Sequence, residues 1–157
     1  MNKRAPFLVE LLNPIVSRLL RVGAPFGPNV LLTVRGRKTG AERTTPIALI
    51  EKGGQRWLVS VYGDVNWTRN LRAAGEGVLT TGSRRERIIA TELTPEAAAR
   101  VLEEVTIPLL YSNLVGSFLR PYFKVGPGAS AAAFVEEARR HPIFEVRSAG
   151  AGEERAA

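Results

Sequence analysis

The sequence contains no cysteine, one histidine, His141, and a single aspartate, Asp64. The absence of cysteine excludes disulfides, thiolate metal sites and a cysteine nucleophile. A lone histidine without cysteine also argues against a zinc site, so we expect no bound metal. If the chain is an enzyme, a cofactor must therefore bring the reactive group, and the protein must bind and orient it.

We expect structural rather than catalytic roles for His141 and Asp64. His141 follows a predicted helix, where a contact with the helix dipole or a plain surface position is favoured over catalysis. Asp64 precedes another predicted helix, and we expect Asp64 or Asn66 to be its N-cap.

Long hydrophobic runs are also missing. No segment reaches the roughly eighteen uncharged apolar residues of a membrane span, and no cleavable signal is recognisable. Apolar residues at helical spacing predict an amphipathic helix over residues 6–22. Packing of this helix across the protein is favoured over a membrane-surface or substrate-covering role. These features indicate a cytoplasmic protein, with membrane association through this helix as the alternative.

The formal charge of +7 and the pI near 10.5 call for an acidic partner. Nucleic acid, an anionic membrane and a phosphorylated cofactor all qualify. Most of the cations are arginine, whose planar fork matches phosphate and carboxylate. The β-segments lack the interleaved aromatic and basic residues of a nucleic-acid stacking platform, so we expect no nucleic acid.

Segments rich in Val, Ile, Leu, Thr and aromatic residues predict strands at 30–34, 43–51, 55–62, 78–81, 86–93 and 143–147. Helices are predicted at 66–74, 95–105 and 130–140, with 109–119 as a further helix or an irregular apolar lid. The pattern indicates a single α+β domain. It predicts a partly closed barrel of about six mainly antiparallel strands with peripheral helices. Within it, 1–28 is the N-terminal helix and connection, 29–147 the barrel core and 148–157 a frayed tail.

The connection between the first two strands holds the motif RGRKTG at residues 35–40. Its three cations and two glycines suit a backbone nest for an oxyanion. It has neither the Walker order nor the dinucleotide fingerprint. Taken alone, the motif does not distinguish an anion site from an ordinary exposed hairpin tip, which would have a similar sequence.

RGRKTG, residues 43–46 and the segment SVYGDVNWTRNL at 60–71 together resemble the deazaflavin-dependent nitroreductase family, also described as quinone reductases. The resemblance covers about residues 30–93, and RPYFKVGP and ARRHPIFEV near the C-terminus are similar in style. It implies a split β-barrel, the roll of flavin reductases and pyridoxamine-phosphate oxidases. It also implies coenzyme F-420, an 8-hydroxy-5-deazaflavin whose tail carries a phosphate and an oligoglutamate chain.

The resemblance also implies the residues that contact the coenzyme. The phosphate and tail would meet Arg35, Arg37, Lys38, Thr39, Gly40 and Arg43. The ring would meet Thr45, Pro46, Ser60, Val61 and Tyr62, with Trp67, Asn70 and Leu71 on a short covering helix. Packing is the alternative for several of them, since Trp67 and Leu71 are one helical turn apart and Tyr62 suits a core. Pro46 could instead protect an edge strand.

By the same resemblance, the reduced ring would pass a hydride from C5 to a small apolar acceptor, namely a quinone, an activated alkene or a nitro compound. Tyr111 and Tyr122 are candidate substrate or proton contacts, although the best-studied members have more tyrosines in this region. A barrel reductase that binds flavin mononucleotide (FMN) and a non-catalytic carrier of the coenzyme or of a fatty acyl ligand are the alternatives. The oligomeric state stays open between monomer and homodimer.

Overall fold

A computed structural model describes residues 29–112 and 114–151 of the chain. Six β-strands form its centre, and each joins only antiparallel neighbours. The strands are β1 Asn29–Arg35, β2 Glu42–Lys52, β3 Gln55–Val59, β4 Glu76–Thr81, β5 Arg84–Glu92 and β6 Ile143–Ser148. The predicted α+β barrel of about six antiparallel strands is confirmed.

The sheet closes on itself in the order β1-β2-β3-β6-β5-β4. The closing pair is β1 with β4, where Leu32 lies opposite Leu79. On the other side β6 lies between β3 and β5, and Phe144 lies opposite both Leu58 and Glu92. Closure leaves neither sheet edge unpaired.

Alternation along the strands separates two hydrophobic clusters. Val30, Leu32 and Val34 of β1 point to the barrel interior, as do Leu58 of β3 and Phe144 of β6. Their neighbours along the chain, such as Trp57, Val59 and Ile143, belong to an outer cluster. This is the two-residue period of a strand with both faces buried.

Helices cover the outer cluster and one end of the barrel. They are α1 Asn66–Ala74, α2 Pro95–Val101, α3 Ile107–Ser112, α4 Leu114–Leu119 and α5 Ala131–Ala138. A π-helical turn, Leu102–Thr106, joins α2 to α3, and a 3-10 turn, Arg120–Tyr122, follows α4. The helix predicted at 95–105 therefore continues to Ser112, and residues 109–112 and 114–119 are helical rather than an irregular lid.

Helix α1 begins and ends as its sequence indicates, except at the cap. Gly75 stops it with φ 69° and donates its N–H to the Leu71 carbonyl, the left-handed ending that glycine favours. The N-cap is Val65, whose side chain cannot cap, so the prediction of Asp64 or Asn66 is wrong. The Asp64 carboxylate instead accepts hydrogen bonds from Thr68, Arg69 and Arg72.

Two other boundaries differ from expectation. β3 ends at Val59 rather than at residue 62, because the Ser60 hydroxyl donates to the Gly63 carbonyl and a turn follows. Ser148 belongs to β6 and Ala149–Ala151 form a 3-10 turn, so the frayed tail does not begin at 148.

The predicted helix at 6–22 lies outside the described residues. Among the described helices, none has the length and apolarity to cross a membrane.

An ion pair and a neighbouring hydroxyl join three strands at one end of the barrel, on the face that points to the interior, because Arg56, Glu86 and Ser148 are each two residues from a member of the interior cluster. Arg56 of β3 donates two parallel hydrogen bonds of 2.9 and 2.8 Å to Glu86 of β5. Ser148, at the end of β6, also donates to Glu86. Hydrogen bonding to Arg56 lowers the pKa of Glu86 from 4.5 to about 2 against the opposing effect of burial, and Ser148 adds to it. Since the two side chains are only 19% and 21% exposed, this pair is better shielded than ordinary surface pairs.

We expect Glu86→Gln to destabilise the protein at pH 7 by about 1–2 kcal/mol, a value reduced for solvent screening. A lowered carboxyl pKa stabilises the fold above the unfolded pKa of 4.5, and this contribution is lost as pH falls toward about 2. Urea unfolding of wild type and variant across this range should show the difference in unfolding free energy shrinking as pH falls.

Glu76→Gln is the matched control, because Glu76 is 65% exposed and its pair with Arg87 is 3.9 Å long. It should change stability by less than about 0.5 kcal/mol. A deficit in Glu86→Gln that stays the same at every pH would contradict the role assigned to the Glu86 charge.

Candidate functional site

The loop between β1 and β2 is a compact, backbone-bonded turn. The Gly36 N–H donates to the Ala41 carbonyl and the Gly40 N–H to the Gly36 carbonyl, both at 2.8 Å. Gly40 has φ 71°, which favours glycine. A side chain at Gly36 would place its Cβ 3.1 Å from the Ala41 carbonyl oxygen. Both glycines of the RGRKTG motif thus shape the loop that presents Arg37, Lys38 and Thr39.

An open cleft of about 570 Å³ separates this loop from helix α1. Its volume lies in the usual range of small-molecule sites, roughly 300–1,000 Å³. The loop and the start of β2 form one wall and α1 forms the other. The lining residues are Gly36, Arg37, Lys38, Thr39, Glu42, Arg43, Thr44, Thr45, Asn66, Trp67 and Asn70.

Asn70 connects the two walls. Its side-chain oxygen accepts the backbone N–H of Arg37 at 3.2 Å and the Arg37 Nη1 at 2.8 Å. Asn70 is only 6% exposed, so α1 holds it in place. Because the partner is a neutral amide rather than a carboxylate, the Arg37 positive charge stays available to an anion in the cleft.

The donor set suits a phosphorylated ligand. Arg37, Lys38 and Arg43 are the cations of the lining, and Glu42 is its carboxylate. Hydroxyls come from Thr39, Thr44 and Thr45, of which Thr44 shares a 2.8 Å hydrogen bond with Thr33 of β1. Two arginines, a lysine and hydroxyl groups are the side chains that commonly bind phosphate oxygens. The residues present therefore fit the phosphate and acidic tail of coenzyme F-420.

Helix α1 is fastened to the barrel on two sides. Leu71 is fully buried in the barrel interior, and the Trp67 ring packs 5.9 Å from the ring of Phe144. On the outer side Arg72 bonds to Glu92 of β5 and to Asp64. Burial opposes ionisation of Asp64, but hydrogen bonds from Thr68 and Arg69 and the charge of Arg72 lower the pKa of its carboxyl. The wall that carries Asn70 is thus firmly held.

A second group of aromatic residues gathers after β3. The rings of Tyr62 and Tyr122 meet edge to face with centroids 4.8 Å apart. Burial raises the pKa of the Tyr62 phenol above 10.0, and the neighbouring Tyr122 raises it further. Tyr111 is 46% exposed, and the Arg120 guanidinium lies 4.2 Å from its ring centre.

The structure gathers about half of the residues that the sequence indicated for the coenzyme. Those in the cleft are Arg37, Lys38, Thr39, Arg43, Thr45, Trp67 and Asn70. Arg35 lines a neighbouring small pocket with Arg87, while Ser60, Val61 and Tyr62 form the turn after β3. Gly40 shapes the loop, and Pro46 pairs with Leu31 inside the sheet. Leu71 is buried in the barrel core, so it packs there and does not contact a ligand in the cleft.

Sequence reasoning missed four lining residues. Glu42 and Thr44 flank the predicted contacts on β2, and Gly36 and Asn66 flank them on the loop and on α1. Their nearness in sequence to Arg43 and Trp67 is the signal that could have found them.

The expectation of a surface position for His141 is wrong, since His141 is 4% exposed and bonded through both ring nitrogens. Its position between a helix and the turn after β3 explains this, because both elements cover it. Across residues 29–112 and 114–151, no group of three His, Asp or Glu side chains is placed to hold a metal ion.

A model of the F-420H(2)-dependent quinone reductase family matches residues 16–109 of the chain. This match includes the whole loop between β1 and β2 and all of α1. No curated protein matches the chain.

Several solved structures share the fold. A candidate 5-nitroimidazole antibiotic resistance protein from Bacteroides thetaiotaomicron is 10% identical, with a TM-score of 0.51 over 84% of this chain and 79% of that one. A Clostridium acetobutylicum protein of the pyridoxinephosphate oxidase family is 12% identical, with a TM-score of 0.51 over 85% and 82% of the two chains. The F-420-H2 dependent reductase FDR-A is 19% identical, with a TM-score of 0.46 over 76% and 94%. The first two likenesses show the barrel fold alone.

The raised pKa of Tyr62 predicts a late step in alkaline titration. Followed by ultraviolet absorbance, the part of the tyrosine signal that ionises latest, above pH 10.0, should disappear in Tyr62→Phe. Circular dichroism over the same range keeps the comparison within the folded state. A late step that persists in Tyr62→Phe would contradict the assignment.

Proposed function

The chain belongs to the F-420H(2)-dependent quinone reductase family, and on that premise we propose that the basic cleft holds coenzyme F-420 beside an apolar organic acceptor. Membership makes the chain an F-420-dependent oxidoreductase. The binding residues and the class of acceptor are the substance of the proposal.

The observation that carries the proposal is the preorganised Arg37. Its backbone and its guanidinium are both fixed by Asn70, and Lys38 and Thr39 follow it on the same rigid loop. Groups held in place before binding lose little conformational freedom when the ligand arrives. Arg37, Lys38 and Thr39 would hold the phosphate, and Arg43 would meet the phosphate or the tail carboxylates.

Thr45 and Trp67 would place the ring system deeper in the cleft, since both lie on its walls. When bound, the reduced coenzyme supplies a hydride from C5 of its ring. The acceptor, a quinone, an activated alkene or a nitro compound, also needs a proton. Tyr62 keeps its phenol proton at neutral pH and contacts Tyr122, so this pair is a candidate wall and proton source for the acceptor. Tyr111 stays a candidate substrate contact.

Titration with oxidised coenzyme F-420, followed by quenching of its fluorescence, tests the cleft. We expect saturable binding that weakens with salt and falls by about 100-fold in the double variant Arg37→Ala, Lys38→Ala, because two charge-assisted contacts are lost.

The double variant Arg84→Ala, Arg85→Ala is the matched control. It removes the same charge from two exposed residues at the start of β5. Its affinity should stay within about threefold of wild type, the difference reflecting only long-range attraction. Equal losses in both variants would contradict a localised site, and tighter binding of FMN would favour the FMN-binding alternative.

Turnover separates an enzyme from a carrier. Oxidation of the reduced coenzyme should depend on an added quinone, activated alkene or nitro compound, and the order of kcat/KM among the three identifies the acceptor class. Tight binding without oxidation in the presence of any of them would favour the non-catalytic carrier.

Asn70→Ala should weaken F-420 binding by about tenfold, because Arg37 loses both hydrogen bonds that hold it. In a double-mutant cycle, Asn70→Ala should cost less once Arg37 is already alanine, because only the hydrogen bond to the backbone N–H of residue 37 is then left to lose. Fluorescence titration of the four proteins measures the coupling. Independent, additive losses would show instead that Asn70 contacts the coenzyme directly.

A further inference from the structure

His141 occupies a buried position beneath the turn that follows β3. It lies between α5 and β6, and its side chain is 6% exposed. The imidazole stacks on Phe123 with ring centroids 4.4 Å apart. A polar ring in such surroundings must satisfy both nitrogens with hydrogen bonds.

The two ring nitrogens face two hydrogen-bond acceptors. Nδ1 lies 2.9 Å from the Ser60 carbonyl oxygen, and Nε2 lies 3.1 Å from Oε1 of Glu137. A carbonyl oxygen can only accept, so Nδ1 carries a proton and donates it. The state of Nε2 then depends on the Glu137 carboxyl group.

Besides His141, two donors contact Glu137, whose side chain is 1% exposed. Its Oε1 accepts the Lys124 backbone N–H at 2.8 Å, and its Oε2 accepts Nη1 of Arg140 at 2.7 Å. Such a set stabilises the ionised carboxylate, which is a pure acceptor. A neutral imidazole would then direct the Nε2 lone pair at a negative oxygen, whereas a second ring proton makes the contact favourable.

We propose that His141 is an imidazolium at neutral pH and acts as a positioning residue, which fixes the turn at residues 60–63 through the Ser60 carbonyl. The charged groups that face it are Glu137 and, beyond Glu137, Arg140, both near the end of α5. The Phe123 ring, the Lys124 amide and the Ser60 carbonyl complete its surroundings.

The turn at residues 60–63 holds Tyr62, whose ring contacts the ring of Tyr122. The Ser60 N–H donates to the Pro142 carbonyl at 3.0 Å, and the Ser60 hydroxyl donates to the Gly63 carbonyl. A side chain at Gly63 would place its Cβ 3.2 Å from the Arg140 carbonyl oxygen, so the turn packs closely on the end of α5. His141 therefore acts on the aromatic pair through the Ser60–Gly63 backbone. Only the effect on the acceptor side rests on the proposed function.

Nitrogen-15 NMR of the imidazole tests the protonation state directly. His141 is the only histidine of the chain, so its ring signals in protein prepared without a histidine tag need no assignment. At pH 7 we expect the imidazolium signature, with both ring nitrogens protonated. A signature with one bare ring nitrogen would overturn the proposal.

Hydrogen–deuterium exchange tests the positioning role. His141→Phe keeps the stacking on Phe123 but removes both hydrogen bonds, and we expect exchange at residues 60–64 to become about tenfold faster. Residues 76–92 of β4 and β5 serve as the internal reference and should not change. Arg139→Ala is the matched control, because Arg139 is 60% exposed on the same helix end. Unchanged exchange at 60–64 in His141→Phe would overturn the proposal.

Glu137→Gln provides a second variant should His141→Phe not fold. The amide keeps the shape of the carboxylate but removes its charge, so we expect His141 to lose its second ring proton at pH 7 and the turn to loosen. An imidazolium that persists in Glu137→Gln would contradict the pairing. Both measurements use the protein without coenzyme. A failure of F-420 binding would therefore contradict the proposed function and leave this result standing.

Discussion

Pairing of β1 with β4 is the constraint on which the rest of the molecule depends. Without it, the sheet would have two edges with unpaired N–H and C=O groups. Closure through Leu31, Leu32 and Thr33 of β1 gives every described strand two neighbours and encloses an apolar interior. It also fixes the direction in which the loop between β1 and β2 leaves the barrel, because β1 is held on both sides.

Helix α1 and the loop between β1 and β2 together form the cleft on the barrel. Leu71 is inserted into the interior cluster and Trp67 packs on Phe144, so the helix cannot shift without disturbing the core. The same helix presents Asn70 to Arg37 across the cleft. Packing on one face of α1 thus determines the position of a cation on a loop more than thirty residues earlier in the chain.

Two kinds of partner occur among the arginines that the structure describes. Arg56, Arg72 and Arg140 are paired with carboxylates of Glu86, Glu92 and Glu137, and these pairs join separate elements or brace a helix end. In the cleft, by contrast, Arg37 is held by an amide, which leaves its charge for an anion. The partners of these arginines therefore differ in chemistry, carboxylates in one case and an amide in the other, which composition alone cannot show.

The sequence alone determined the six strands, the helix from Asn66 to Ala74 and the basic, glycine-containing loop RGRKTG. Each of these depends on local periodicity, on a left-handed glycine or on charge within a short segment. It also identified seven residues of the cleft, because the motif and the helix carry them in two short segments.

Tertiary structure alone decided which of those side chains face the cleft and which are buried. Leu71 and Trp67 are one helical turn apart, yet Leu71 fills the barrel and Trp67 also lines the cleft. His141 looked like a surface residue at a helix end, but α5 and the turn after β3 enclose it between Ser60 and Glu137. The physical reason is that these contacts join residues as many as 81 positions apart in the chain, which meet only once the barrel has closed.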